Sequence, residues 1–188
     1  MIIDWLETRH PSANAVVLYL FCSYNENESQ SAQNLLASLL KQVLLRQSVI
    51  PQGVRDLYER HVNRKSRPGV GEITPLLLEE LKGYSSVFVV IDALDECSDR
   101  DDTRKALLAE VQKLPQDSHI LITSRYSPNI EEAFKDVPAI EIRATDDDVK
   151  RYIEGRVKQE SRLAKHIRSD PGLMDDIKSN LLQSCRGM

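Results

Sequence analysis

Cysteine is scarce and badly spaced for a scaffold. Cys22, Cys97 and Cys185 are an odd set, far apart in a chain of 188 residues. That excludes a disulfide-built fold and fits a reducing compartment, the cytosol. An excess of positive charge is also lacking. Twenty-five Lys and Arg stand against 29 Asp and Glu, a net charge of −4 with a pI of about 5.6. A dedicated nucleic-acid-binding domain runs basic, so nucleic acid is not an expected partner. No apolar run approaches the roughly 20 residues of a membrane span. The N-terminal stretch MIIDWLETRHPSANA is acidic and too poor in apolar residues for a signal peptide. His10, His61, His119 and His166 show no metal-ligand spacing with one another or with the cysteines. There is no Gly-x-Ser-x-Gly elbow. There is also no Gly-Lys pair, hence no Gly-x-x-x-x-Gly-Lys-Ser/Thr loop to wrap backbone amides around phosphates. Gly69-Val70-Gly71 is a lone Gly-x-Gly inside the basic loop NRKSRPGVG of residues 63–71.

What remains is ordinary globular composition, 41% hydrophobic and 29% charged. The length suits one domain with a real core. Four short apolar runs stand out: residues 16–22 (VVLYLFC), 87–92 (VFVVID), 119–125 (HILITSR) and 139–143 (AIEIR). The first three are nearly unbroken and rich in β-branched residues, which predicts strands of a parallel sheet buried on both faces. The fourth alternates and predicts an edge-like strand. Leu35, Leu36, Leu39, Leu40, Val43 and Leu44 share one helical face behind the capping candidate Ser29. Further helices are expected over the segments containing Val54 and Leu57, Leu76 to Leu81, Ala106 to Leu114, Ile130 to Phe134, Asp146 to Glu160 and Leu173 to Ser184. Strands alternating with helices give an α/β three-layer domain with a parallel sheet.

The sharpest feature is the sequence 87–97, in which a buried strand ends abruptly in Asp92, Asp95 and Glu96. Ligands of parallel α/β sheets bind outside the carboxyl ends of strands. Aspartate oxygens there suit Mg²⁺, and a neighbouring carboxylate can orient or deprotonate a water that attacks a phosphate. The plain alternative is that loops are polar and that Asp95 or Asp99 caps the next helix. Thr123-Ser124-Arg125 ends another buried strand at the same edge. A cation there neutralises charge developing on a γ-phosphate. Cys97 has no histidine near it in sequence and is expected as a buried thiol rather than a nucleophile. A phosphoacceptor receiver domain would need an acidic pair after an earlier strand and a lysine after a late one. Cys22-Ser23-Tyr24 and Arg143-Ala144-Thr145 supply neither.

The apolar run closed by Asp92-Ala93-Leu94-Asp95-Glu96-Cys97 resembles the Walker B motif of NACHT-type nucleoside triphosphatases. More narrowly it resembles the fungal NACHT modules of STAND-class signalling proteins, related to the nephrocystin-like N-terminal domain. Residues 18–22 with the helix to Gln42 resemble that family's strand, loop and LLxSLLxQ helix. Residues 120–125 resemble its sensor-1 strand, and residues 140–152 the strand and helix leading to its helical lid. The resemblance implies a P-loop-NTPase-like α/β fold and an ATP- or GTP-dependent switch that drives oligomerisation. By this resemblance Asp92 would hold Mg²⁺, Asp95 would support the cofactor, Glu96 would activate water and Arg125 would sense the γ-phosphate.

The missing Gly-Lys pair departs from that family. Residues 1–6 resemble the tail of the helix that follows the P-loop, and residues 185–188 the opening of the family's next segment. The expectation is therefore a piece of a NACHT module, with residues 1–145 as partial nucleotide-binding core and 146–188 as the start of the lid. The family's sheet order is 5-1-4-3-2 with the P-loop strand in position 1. Without that strand the first three runs pair as neighbours, and 139–143 must pair with the sensor strand or detach. Nucleotide binding by these residues alone is expected to be very weak or absent. The competing expectation is a non-catalytic interaction or decoy module whose partners are proteins, through self-association or complete NACHT proteins.

Overall fold

The structure, a computed structural model, describes residues 2–10, 14–26, 28–99, 102–170 and 172–185. Three strands form one parallel sheet: β1 (Ala15–Phe21), β2 (Ser86–Asp92) and β3 (His119–Ile122), in that spatial order. The register pairs Val16 with Val87 and Leu20 with Ile91, then Val89 with Ile120 and Ile91 with Ile122. Each parallel step needs a crossover, and helices supply them. Helices α2 (Ala32–Leu44), α3 (Gln52–Arg64) and α4 (Val70–Leu81) lie between β1 and β2 in sequence. Helix α5 (Thr103–Val111) lies between β2 and β3. Helix α1 (Ile2–Arg9) precedes β1, and α6 (Pro128–Ala133) follows β3.

Strand pleating sends alternate side chains to opposite faces, and each face has its own core. Val16, Leu18, Leu20, Val87, Val89 and Ile91 join Leu35, Leu36, Leu39 and Val43 of α2, Ile73, Leu77 and Leu81 of α4, and Leu107 and Val111 of α5 in one large cluster. Val17 and Val90, on the other face, pack with Ile3 of α1, beside Leu6, Tyr19 and Phe88. The His10 ring lies 4.6 Å from that of Phe88, which stacks in turn on His119 at 4.9 Å. Both faces are therefore covered, as the unbroken apolar runs of β1 and β2 predict.

The two margins of the sheet differ. On the outer side of β1, Gln42 of α2 accepts from the Tyr19 N–H at 2.9 Å and donates to the Tyr19 carbonyl at 2.8 Å. Gln30 repeats the arrangement two residues on, donating to the Phe21 carbonyl and accepting from the Ser23 N–H, both at 2.9 Å. Two side-chain amides thus stand in for a neighbouring strand. Among the described residues β3 is paired on one side only. That corrects the expectation of a third strand buried on both faces: His119, Ile120 and Leu121 are exposed at the edge of the sheet. The strand also ends at Ile122, before Thr123-Ser124-Arg125.

The expected fourth strand is absent. Residues 139–143 form no strand, and Ile140 and Ile142 are 88% and 89% exposed. An alternating sequence makes a strand only where a neighbour takes its backbone hydrogen bonds, and this segment has detached. The cap of α2 is Ser31, not Ser29: Ser31 Oγ accepts from the Asn34 N–H, while the Ser29 hydroxyl donates to the Glu26 carbonyl. Helix α4 begins inside the basic loop, at Val70.

The chain divides into two compact units, Met1–Lys135 and Asp136–Met188. The second is helical, with α7 (Asp146–Gln159), α8 (Ser161–Ser169) and α9 (Gly172–Cys185). Thr145 and Asp148 cap α7 reciprocally, each bonding the other's backbone N–H. Inside this unit Lys178 of α9 pairs with Glu154 of α7 at 2.6 Å. The segment 186–188, matched above to the family's next segment, lies outside the described residues. No helix among the described residues is long and apolar enough to cross a membrane.

Candidate functional site

Strand β2 delivers Asp92 to the carboxyl edge of the sheet. Ala93 then takes a left-handed conformation (φ 54°, ψ 51°), unusual for a residue with a Cβ. It turns the chain at once into a single 3₁₀ turn, Leu94–Glu96. Leu94 is wholly buried and anchors the turn. Asp95 and Glu96 are thereby held at the surface beside the strand end.

The end of β3 locks this turn. Thr123 N–H donates to the Ile91 carbonyl and the Leu94 N–H donates to the Thr123 carbonyl, each at 2.9 Å. The Thr123 hydroxyl donates to Asp92 Oδ1 at 2.5 Å and accepts from the Ala93 N–H at 2.9 Å. Asp92 is thus oriented by Thr123, and its carbonyl accepts from the Cys22 N–H at 3.0 Å. Two residues on, the Arg125 N–H donates to Asp95 Oδ1 at 2.9 Å. The Arg125 side chain spans both acids: Nε lies 3.0 Å from Asp95 Oδ2 and Nη2 lies 2.6 Å from Glu96 Oε1. That guanidinium is 74% exposed, whereas the two acids are mostly covered.

The structure sets Asp92 on Thr123 and brings Asp95 and Glu96 together on Arg125, while Asp92 is not among the residues that line the cleft of the other three. The fold adds residues that sequence reasoning missed. Thr123 was visible only as a neighbour of Arg125, and its role as the clamp on Asp92 spans 31 residues of sequence. Arg104 lines the same open cleft, of about 850 Å³, as Tyr24, Asp95, Glu96, Asp99 and Arg125. It is only 8% exposed and pairs with Asp99 at 2.5 Å. Nothing local in the sequence separates it from a surface arginine. Cys97 is buried as expected and in contact with Cys22. The hydrogen bond to Cys97, together with burial, pushes the Cys22 thiol far above the ordinary thiol range. Such a thiol is no nucleophile at neutral pH.

The carboxylate oxygens of Asp92, Asp95 and Glu96 are hard donors of the kind Mg²⁺ prefers, although among the described residues no three acids, histidines or cysteines gather as a group that could hold a metal ion. Phosphates are a different matter. With no Gly-Lys pair, the sequence furnishes no P-loop amide cradle for a triphosphate.

A parallel sheet covered on both faces, with acids and an arginine at its carboxyl edge, defines a P-loop-NTPase-like α/β domain. A solved structure supports the fold. The Aeropyrum pernix ORC1 protein in complex with DNA superposes with a TM-score of 0.52 at 17% identity. The likeness covers 84% of this chain and 39% of that one, so the chain spans well under half of that protein's length. No curated protein matches the sequence. The chain belongs to the nephrocystin 3 N-terminal family, whose model matches residues 1–125.

Proposed function

We propose that residues 1–135 carry the metal- and γ-phosphate-facing part of a NACHT-type signalling switch, whose activity depends on ATP or GTP. The observation that carries this reading is Arg125 laid across Asp95 and Glu96 beside the Thr123-oriented Asp92. Bound Mg²⁺ would supply charge neutralisation for phosphates. Asp92 would hold it, with Asp95 in support. Glu96 would orient a water and take its proton. Arg125 neutralises the two acids here, and an anionic ligand would compete with them for its guanidinium. The triphosphate does not fit these residues alone, so no step through it is assigned to the chain by itself.

Mn²⁺, a spectroscopic stand-in for Mg²⁺, tests the reading by electron paramagnetic resonance. Wild-type protein is expected to quench the free-ion signal, and Asp92→Asn to lose that quenching. Equal Mn²⁺ binding by both proteins sinks the metal assignment. Micromolar affinity for Mg-ATP sinks the claim that the chain alone cannot hold nucleotide.

A second reading has its own observation, the one-sided pairing of β3. An open strand edge with exposed Ile120 and Leu121 is a template for strand addition. In this reading the domain is an interaction module that pairs with its own kind, or with complete NACHT proteins, in the cytosol. Sedimentation is expected to show a concentration-dependent dimer that Leu121→Lys converts to monomer. A wild-type protein that stays monomeric up to its solubility limit rules the self-pairing out.

A further inference from the structure

The basic loop that the proposed switch does not use holds a second set of reactive groups. Helix α3 ends at Lys65, whose left-handed backbone (φ 51°) folds the chain back on itself. The Ser66 N–H therefore donates to the His61 carbonyl at 3.0 Å, and Ser66 Oγ arrives 2.7 Å from His61 Nδ1. From the first turn of α4, Glu72 reaches back across the loop, and its Oε2 lies 3.0 Å from His61 Nε2. The same carboxylate oxygen accepts from the Gly69 N–H at 3.0 Å. Arg60 Nη1 lies 3.8 Å from the other oxygen. The Gly69 N–H first, and His61 second, hold the Glu72 carboxyl below its usual range. An ionised carboxylate has no proton to donate. In the neutral imidazole His61 Nε2 is then the donor to Glu72, which leaves the Nδ1 lone pair for the Ser66 hydroxyl. The His61 side chain is 13% exposed, while Ser66 lies at the surface.

The geometry points to Ser66 as a nucleophile, with His61 as its base and Glu72 as the group that orients the base. The substrate class is an activated carboxylic ester. Ser66 Oγ attacks the carbonyl carbon, an O–C bond forms, and the hydroxyl proton passes to His61 Nδ1. The carbon–leaving-group bond then breaks, and the departing alkoxide takes that proton from His61. Water hydrolyses the acyl-serine by the same route in reverse: its proton goes to His61, and Ser66 recovers one as the carboxylic acid leaves. The nucleophile, base and orienting acid match the general arrangement for covalent catalysis, with hydrogen bonds of ordinary length at both links. Lys65 and Arg67 flank Ser66 in sequence and make its loop basic.

4-Nitrophenyl acetate is the probe, with mass spectrometry to locate the acetyl group on the full chain. Acetylation is expected on the peptide containing Ser66, together with release of 4-nitrophenolate above the buffer rate. Ser66→Ala, a surface change that leaves the fold alone, should abolish that modification. His61→Gln should slow it by about 100-fold. Glu72→Gln should slow it as well, since an amide can turn its N–H toward Nε2 and hold the wrong tautomer. Circular dichroism confirms that each variant is folded. Acetyl groups on lysines alone, or a Ser66 rate unchanged by His61→Gln, overturn the assignment.

Discussion

Leu94→Ala is expected to lower the unfolding free energy by about 3 kcal/mol, within the range for emptying a buried leucine site. Leu94 is fully buried although it sits in a short turn at the edge of the sheet. Its side chain joins the large core shared by β1, β2, α2, α4 and α5. The loss is a large share of the roughly 5–15 kcal/mol that such a domain possesses. The same substitution loosens the turn that holds Asp95 and Glu96 against Arg125, so stability and site geometry fall together. Guanidinium titration gives the first quantity, as a shifted midpoint at constant slope. A loss below about 1 kcal/mol would mean that the turn collapses to fill the space, and that Leu94 does not anchor the acids.

Gln42→Glu is expected to cost about 2 kcal/mol, although the residue is half-buried and the change nearly isosteric. In the wild type one amide satisfies both the N–H and the carbonyl of Tyr19. A carboxylate keeps the acceptor but sets a second acceptor, charged, against the Tyr19 carbonyl. The cost is therefore larger than that of Gln42→Met, which removes both bonds without adding repulsion. Amide hydrogen exchange at Tyr19 reports the change locally and should speed up in both variants. If exchange at Tyr19 is unaltered, the glutamine does not seal that margin.

The sheet was legible because three unbroken runs rich in β-branched residues have few other uses in a chain of this composition. Their order followed from the sheet order that the family resemblance implies. The stripe from Leu35 to Leu44 was legible for a similar reason, since six apolar residues at helical spacing must face a core. The 139–143 segment misled because alternation describes a strand's faces and says nothing of whether a neighbour is present. Helix α8 went unseen although Leu163, Ala164 and Ile167 share one helical face, because the stretch is only nine residues long. In the site, Asp92, Asp95, Glu96 and Arg125 were visible as charges at strand ends. Thr123, Gln30 and Gln42 were not, because each acts through bonds to backbone distant in sequence or turned outward. Hydroxyls and amides are common on every surface, and only folding shows which of them are spent on the backbone. The Ser66–His61–Glu72 set was hidden for the same reason, being assembled by one left-handed residue between two helices.

The unequal margins of the sheet also bear on stoichiometry. If two copies join through β3, the composite sheet is bounded on both sides by β1. Each of those margins is already closed by its own Gln30 and Gln42. Among the described residues no open strand edge is left for a third copy to extend, so growth by strand addition stops at two, halted by the same glutamines that finish the single domain.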